Sequence, residues 1–286
     1  MVKMLFKAIS ILGLSSLVSL AQPFTFRDLA WGKSIASTTS NTNIALYLWD
    51  ASNTNGMTST NSGVAMTNGA PLYTWTNQTG ILTGTGSPST PAVLEVFPNS
   101  AAYSPILKKN QGTNGQGWTL DFIPSAGAAV EVLTIPHQIQ KTYTQPFTVL
   151  LVGNAQGGTG ADSFLDTGEE FNFFHTSLGW AAGAGNTIYI DNGTVLSGPA
   201  AYPGMATNAV LLSAVYKGSN SYLRTNGTQY VYGNAGNLGL TMHGMGGDAS
   251  FALHGQISYC KIWNYELDTN TLQTEELYCR TNFFLY

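Results

Sequence analysis

Two carboxylates of this sequence come close to the spacing that retaining glycoside hydrolysis needs. That chemistry uses two carboxyl groups about 5 Å apart, one as nucleophile and one as acid. Alternate residues of a strand share a face, so they can meet this distance. Asp166 and Glu169 are the nearest approach, but Phe164, two residues before Asp166, has no group that can attack an anomeric carbon. We therefore predict that this mechanism is absent and that residues 166–169 form a turn.

Other catalytic and metal-binding patterns give no stronger signal. The sequence has no Gly-x-Ser-x-Gly nucleophile elbow, and its four histidines lie in unrelated segments. No His or Cys pair has the spacing of a zinc site. Calcium prefers clustered oxygen ligands. The candidate calcium ligands are Asp162, Asp166, Asp191 and Asp248. We expect no catalytic residue and no organic cofactor, and calcium is the one cofactor left open.

An uncharged part of the chain is the best candidate for binding a ligand. Residues 171–190 and 192–216 contain no Asp, Glu, Lys or Arg. Sugar faces stack on aromatic rings, and neutral polar side chains hydrogen-bond hydroxyl groups. His175, Trp180 and Tyr202 are therefore the candidate ligand-binding residues. The alternative is that these side chains belong to the core or to an ordinary sheet surface.

The two cysteines, Cys260 and Cys279, allow two interpretations. In an exported chain they could form a disulfide closing a loop of about 20 residues, which the chain-entropy model values at roughly 3 kcal/mol. Alternatively, both are free thiols that pack as small hydrophobic side chains. We favour free thiols, because nothing in the sequence fixes the separation of the two residues in space.

Composition excludes several classes of protein. Charged residues make up 9% of the 286-residue chain, against about 25% in an average soluble domain. Coiled coils and helical bundles need more Glu, Lys, Ala and Leu. With 11 basic and 15 acidic residues, the chain offers no surface that could follow a phosphate backbone, so nucleic acid is excluded as a partner. A β protein with a polar, weakly charged surface remains.

The N-terminus has the pattern of an export signal. Lys3 and Lys7 precede a 14-residue uncharged stretch that ends in the small residues Ser19 and Ala21. This stretch is shorter than the about 20 apolar residues of a membrane span. We therefore predict a signal peptide at 1–21, secretion, and no membrane insertion after the leader is removed. A buried N-terminal helix is the alternative.

Beyond the leader, the patterns are those of β-strands. The clearest lie at 71–75, 118–123, 144–152, 208–217 and 221–231. Asn226-Gly227 predicts a hairpin turn. In the strand at 251–263, simple alternation predicts that Ile257, Tyr259, Lys261 and Trp263 share one face. One helix is expected at 272–279, with Asp268 as its N-cap.

Three motifs carry a family resemblance. Residues 253–267 are similar to the closing segment of laminin-G-like, concanavalin A-like jelly-roll domains. Residues 48–52 with 73–80 resemble the opening motifs of the bacterial members, and 222–227 resemble their Asn-Gly hairpin. The resemblance implies an all-β, two-sheet antiparallel sandwich with one short C-terminal helix. It implies a domain at 44–286, preceded by an N-terminal extension at 22–43.

The resemblance also bears on chemistry. Retaining glycosidases of this fold carry Glu-x-Asp-x-x-Glu on one strand, and Phe164 stands where their nucleophile would be. Many relatives hold one calcium ion on the sheet. The fold does not name a function, because the same sandwich hosts lectins, hydrolases, lyases and structural modules.

Two function classes fit these patterns. The first is a secreted, non-catalytic module that recognises a neutral glycan or another component of the extracellular surface. Such contacts are weak individually, so a homo-oligomer or multi-copy assembly would strengthen them. The second is a structural or interaction subunit of an extracellular assembly or a virion surface. A hydrolase or lyase with an unrecognised site is the third and least supported alternative.

Overall fold

The computed structural model describes most of the chain after residue 43. The described ranges are 44–59, 66–79, 93–97, 104–109, 117–122, 132–134, 142–155, 161–166, 176–181, 187–199, 208–241, 244–246 and 253–283. The predicted leader and N-terminal extension lie outside these ranges, and both stay predictions.

Nineteen strands and one α-helix are described. In chain order they are β1 (Tyr47–Asp50), β2 (Met57–Ser59), β3 (Leu72–Thr76), β4 (Val93–Phe97), β5 (Ile106–Lys109), β6 (Trp118–Asp121), β7 (Val132–Thr134), β8 (Thr142–Tyr143), β9 (Phe147–Ala155), β10 (Ala161–Asp166), β11 (Thr176–Ala181), β12 (Thr187–Asn192), β13 (Val195–Ser197), β14 (Val210–Tyr216), β15 (Ser221–Thr225), β16 (Thr228–Gly233), β17 (Leu240–Thr241), β18 (Gly244–Met245), β19 (Gly255–Trp263) and α1 (Thr269–Asn282).

These strands form two large antiparallel sheets. Sheet A has the order β16-β15-β14-β9-β19-β6-β5, and β1 also pairs with β19. Sheet B has the order β13-β12-β11-β10-β18-β7-β4-β3-β2. Strands β8 and β17 form a separate two-stranded ladder. Neighbours in the sheets are often distant in sequence, as in a jelly roll.

The main core lies between the two sheets. Strands β9 and β14 of sheet A are buried along their whole length. Val149 and Leu151 join the inter-sheet core, while Leu150 and Val152 belong to a second cluster on the outer face of sheet A. The fold predicted from the sequence, an all-β jelly-roll sandwich with one C-terminal helix, is confirmed.

Helix α1 covers the outer face of sheet A. Its buried Leu272 and Cys279 pack in the second cluster with Leu150 and Val152. Two ion pairs join the helix to the sheet, Arg224 with Glu276 and Lys261 with Glu275, each with an N–O distance of 2.7 Å. Among the described helical residues, none forms a segment long and apolar enough to cross a membrane.

Asp268 caps this helix, as the sequence predicts. Its Oδ1 accepts hydrogen bonds from the backbone N–H groups of Asn270 and Thr271, each at 3.0 Å. Its Oδ2 accepts one from the Thr271 hydroxyl at 2.6 Å. The hydrogen bonds from Thr271, more than any other contact, lower the pKa of Asp268.

Replacing Asp268 by Ala is expected to lower Tm at pH 7, since two N–H groups of the first turn lose their acceptor. The folded-state pKa is depressed below 3.8. The stabilisation is therefore complete above the unfolded-state pKa and is lost as the pH falls through the folded-state pKa. Thermal melts followed by circular dichroism from pH 7 to pH 2 test this. The exposed Gln273→Ala is the control, and equal Tm values for Asp268→Ala and the wild-type protein at pH 7 would contradict the cap.

A β-bulge corrects the predicted facing of β19. The pairing of β19 with β9 shifts between Ile257 and Tyr259, so Ser258 is an extra residue. Ile257 therefore lies in the inter-sheet core with Cys260, while Tyr259 lies in the cluster under α1. The prediction that Ile257 shares a face with Tyr259 is wrong, because simple alternation does not account for an extra residue.

Cys260 and Cys279 are free, buried thiols. Cys260 belongs to the inter-sheet core, whereas Cys279 packs between α1 and the outer face of sheet A. Burial raises the pKa of both thiols. The structure therefore has the two cysteines as packed side chains on opposite faces of sheet A rather than as a disulfide.

Candidate functional site

A row of mostly polar residues crosses the whole of sheet B. Cross-strand pairing places one residue of each strand directly opposite the next. The row consists of Thr58, Thr74, Glu95, Thr134, Gly244, Asp166, Ser177, Asp191 and Val195. We call it the polar row. Since neighbouring strands lie about 4.8 Å apart, it extends over about 38 Å.

The polar row lies on the face of sheet B that points away from sheet A. Leu94 and Ile190, which adjoin row residues along their strands, are fully buried in the inter-sheet core. Successive residues of a strand point to opposite faces, so Glu95 and Asp191 point away from the inter-sheet core. Thr58 is exposed, and its hydroxyl oxygen lies 2.6 Å from that of Thr74. The described row residues Thr58, Thr74, Glu95 and Asp191 are polar, in contrast to the apolar cluster on the outer face of sheet A under α1.

Tyr189 supplies an aromatic ring beside the polar row. It lies two residues before Asp191 on β12 and is half-buried. Its cross-strand partners are Gly179 and Ser197, so small residues flank the ring on both sides. The Asp191 Oδ1 accepts a hydrogen bond from the Gly193 N–H at 2.9 Å, which fixes the carboxylate. A ring and a fixed acceptor on one face can stack a sugar ring and bind its hydroxyl groups.

The structure describes only part of the predicted ligand-binding set. Trp180 lies in β11 with its backbone opposite Ile188, and its side chain is outside the described residues. His175 and Tyr202 also lie outside them. A site formed by these three residues stays a prediction. Sequence reasoning missed Tyr189, although alternation along its strand would have placed it on the polar face.

The carboxylate pattern of the sequence is divided between two environments. Asp166 ends β10 and occupies a position in the polar row. Phe164 is fully buried in the inter-sheet core, and the pairing of β10 with β11 shifts between Ser163 and Leu165. Glu169 lies outside the described residues. Phe164, which stands where the nucleophile of the related glycosidases would be, therefore faces the core.

The candidate calcium ligands are described only in part. The Asp191 side chain is described, whereas only the backbone positions of Asp162 and Asp166 are, and Asp248 lies outside the described ranges. Within those ranges, no group of three or more His, Cys, Asp or Glu side chains could hold a metal ion. Calcium binding stays a prediction.

Charge is divided unequally between the two sheets. The described strands of sheet B contain no Lys, Arg or His. Their acidic residues are Glu95, Asp162, Asp166 and Asp191. The basic residues of the described strands all lie in sheet A, as Lys108, Lys109, Arg224 and Lys261. The polar row therefore has a negative potential without a fixed cation in its own strands.

The strand order and the helix on sheet A define an all-β jelly-roll sandwich. No family model and no curated protein matches the sequence. Among solved structures, the chain is similar to the native heptameric SAP-like pentraxin of Limulus polyphemus, with 14% identity over 55% of this chain and 81% of that one (TM-score 0.43). It is also similar to the Ruminococcus gnavus IT-sialidase CBM40 bound to α2,3-sialyllactose, with 12% identity over 47% of this chain and 84% of that one (TM-score 0.39).

A third similar structure belongs to a longer protein. Trypanosoma rangeli sialidase in complex with the inhibitor DANA shares 13% identity over 75% of this chain, with a TM-score of 0.42. The matched part spans 34% of that sialidase chain. The jelly-roll fold of this chain is defined by its own strand order and pairing.

Proposed function

We propose that this protein is an exported, non-catalytic recognition module of the laminin-G-like type that binds a neutral glycan along the polar row. The main support for this proposal is the composition and alignment of the polar row. Seven of its nine positions carry residue types whose side chains can hydrogen-bond, and strand pairing aligns these positions in one line across sheet B. A line about 38 Å long fits a chain of several sugar units better than a single small molecule.

The residue types of the row suit hydroxyl groups. Thr and Ser hydroxyls both donate and accept hydrogen bonds, and carboxylates accept them. Each such bond contributes about 1 kcal/mol net, and Tyr189 would add about 0.5–1.5 kcal/mol by stacking. Several contacts of this size give millimolar to micromolar affinity. Useful adhesion would therefore need several copies of the module on one surface.

The charge of sheet B favours a neutral ligand over an anionic one. A carboxylate about 8 Å from a sugar anion costs about 0.5 kcal/mol in water, and more beside a low-dielectric protein surface. Glu95, Asp166 and Asp191 all belong to the row, so their combined repulsion would offset the gain from stacking on Tyr189. The sialylated ligand of the CBM40 module is accordingly not expected here.

Two observations support the non-catalytic part of the proposal. Phe164 occupies the predicted nucleophile position and is fully buried between the sheets. In the described part of the row, the Asp191 carboxylate accepts a hydrogen bond from the Gly193 N–H, which is a structural role. We propose that the row orients sugar hydroxyls and does not cleave the chain.

A glycan array carrying neutral, sialylated and sulfated glycans tests the function. We expect binding to neutral glycans that is equal at 50 mM and 1 M NaCl, because uncharged contacts are not screened. No array binding at all would contradict the function, and binding that collapses at high salt would indicate an anionic partner instead.

The location of the site is tested by Tyr189→Ala. Loss of one stacking contact should weaken binding about 2- to 12-fold in calorimetric titration with a glycan found on the array. Leu277→Ala is the control, because Leu277 is 60% exposed on α1, across the sandwich from the row. A folded Trp180→Ala variant tests the sequence prediction in the same titration. Unchanged affinity for Tyr189→Ala would remove the row as the site.

A further inference from the structure

An exposed tyrosine lies on the opposite side of the sandwich from the polar row. Tyr232, on the edge strand β16, keeps 55% of its surface exposed. Its hydroxyl donates a hydrogen bond to the Asn220 Oδ1 at 2.6 Å. Asn220 ends a 3₁₀ turn at Gly218–Asn220, between β14 and β15. The bond fixes the phenol oxygen, so the ring is exposed but held in one orientation.

The surroundings of this ring are polar. Tyr222 lies directly opposite Tyr232 and is half-buried. Burial, and then the negative charge of Glu266, raise the pKa of Tyr222. The Lys217 Nζ donates to the Glu266 Oε2 at 2.5 Å, with 45% and 32% of the two side chains exposed. A donor and an acceptor are therefore available within the same surface.

The turn that carries Asn220 is held from both sides. The Gln145 Oε1 accepts from the Gly218 N–H at 2.6 Å, and the Gln145 amide donates to the carbonyl oxygens of Gly236 and Leu238. The Ser221 hydroxyl donates to the Gly218 carbonyl and accepts from the Lys217 N–H, each at 2.8 Å. Little conformational entropy is lost when a ligand binds a surface fixed in this way.

We infer that Tyr232, Asn220, Lys217 and Glu266 form a second saccharide-binding site, which takes one neutral pyranose ring. The inference takes its ligand class from the proposed function and adds a separate location on sheet A. A pyranose has an apolar C–H face for the Tyr232 ring and hydroxyl groups at its rim for the amide and the ion pair. A protein partner would instead need a continuous apolar patch, whereas Tyr232 is hydrogen-bonded to the Asn220 amide and the turn that carries Asn220 follows the charged Lys217.

A second site would allow one molecule to bind two glycan chains at the same time. The polar row and the Tyr232 site lie on outer faces of different sheets, so one glycan chain bound to the row leaves the Tyr232 site open to another chain. A module with two weak sites can cross-link chains, and the second binding event then has a raised effective concentration.

Titration of ¹⁵N-labelled protein with cellotetraose, xylotetraose and mannotetraose, followed by NMR, tests the inference. We expect at least one probe to shift two separate sets of amide signals, one near 218–222 and 230–233 and one near 177–191. Tyr232→Ala should abolish the first set and leave the second. Tyr232→Phe keeps the ring but loses the bond to Asn220, and it should weaken binding at the first set about 2- to 12-fold.

Gln229→Ala is the matched control, because Gln229 is exposed on the same strand as Tyr232. It should change neither set of signals. Shifts confined to 177–191 would overturn the second site and leave the proposed function standing. Shifts near 230–233 that survive in folded Tyr232→Ala would also overturn it. Absence of any shift with all three probes would overturn both proposals.

Discussion

Replacing Glu276 by Gln is expected to lower the free energy of unfolding by about 3 kcal/mol, because it leaves the Arg224 guanidinium without its counter-charge. The Glu276 side chain is 4% exposed and that of Arg224 is 18% exposed. The Arg224 Nε donates to Oε1 at 2.7 Å and its Nη2 to Oε2 at 3.1 Å. This two-point pairing in a buried site binds α1 to β15.

The neighbouring Glu275→Gln is the matched control. Glu275 makes one hydrogen bond to Lys261 and 22% of its side chain is exposed, against two bonds and 4% exposure for Glu276, so water already screens the Glu275–Lys261 pair in part. We expect Glu275→Gln to lower the free energy of unfolding by about 1 kcal/mol or less. Urea denaturation and Tm measure both variants, and 3 kcal/mol corresponds to about 6–12 °C for a domain of this size. Equal losses for Glu276→Gln and Glu275→Gln would contradict the buried ion pair.

A double variant separates the ion pair from packing. Arg224→Met combined with Glu276→Leu removes both charges and keeps most of the buried volume. Such replacements are often neutral or stabilising, because neither partner pays a desolvation cost. The double variant should therefore recover most of the stability that Glu276→Gln loses. If it is as unstable as the single variant, the buried charge is not the cause of the loss.

The parts of the fold that depend on local pattern were predictable from the sequence. Asn226 and Gly227 adopt φ angles of +50° and +82°, as a two-residue hairpin turn requires. Asp268 caps the helix, and the apolar run before it forms the buried strand β19. In each case, residues close in sequence determine the structure.

The candidate sites were less predictable, because they depend on strand pairing between distant segments. In the sequence, Asp191 is the single charged residue between the uncharged stretches 171–190 and 192–216, so the region is almost neutral. Pairing then aligns Asp191 with Asp166 and Glu95 in one row of sheet B. The order of strands in the sheet sets this alignment, and nothing local to these residues specifies it.

The exposed Tyr232 depends on a bulge that the sequence does not reveal. Pairing of β15 with β16 moves from Val231 opposite Leu223 to Gln229 opposite Arg224, so Tyr230 is the extra residue of the bulge. The Tyr230 ring instead packs over Gly198, where an added Cβ would lie 1.8 Å from it. Tyr230 and Tyr232 are two residues apart, so simple alternation would place them on the same face. The bulge turns Tyr230 towards Gly198 and leaves Tyr232 exposed.

The second large effect is expected for Asn77→Ala, which should lower the free energy of unfolding by about 3 kcal/mol. Among the described strands, β1 pairs with β19 along one edge, and Asn77 and Gln78 bond to its other edge. The Asn77 Oδ1 accepts from the Leu48 N–H at 2.9 Å, and its Nδ2 donates to the Leu46 carbonyl at 3.0 Å. Gln78 makes the equivalent pair of bonds to the backbone of Asp50.

The size of this effect follows from burial. Asn77 is 3% exposed and Leu46 is 8% exposed, so water reaches the orphaned backbone groups poorly once the amide is removed. Each buried group left without a partner costs about 1–3 kcal/mol. Asn77→Ala leaves the Leu48 N–H without its acceptor and the Leu46 carbonyl with only the 3.4 Å bond from the Thr79 hydroxyl. Asn53→Ala is the control, because within the described part of the chain the Asn53 Oδ1 accepts one exposed hydrogen bond, from the Asn55 N–H at 3.2 Å. In urea denaturation, Asn53→Ala should lower the free energy of unfolding by less than about 0.5 kcal/mol. Similar losses for the two variants would mean that Asn77 does not hold the free edge of β1.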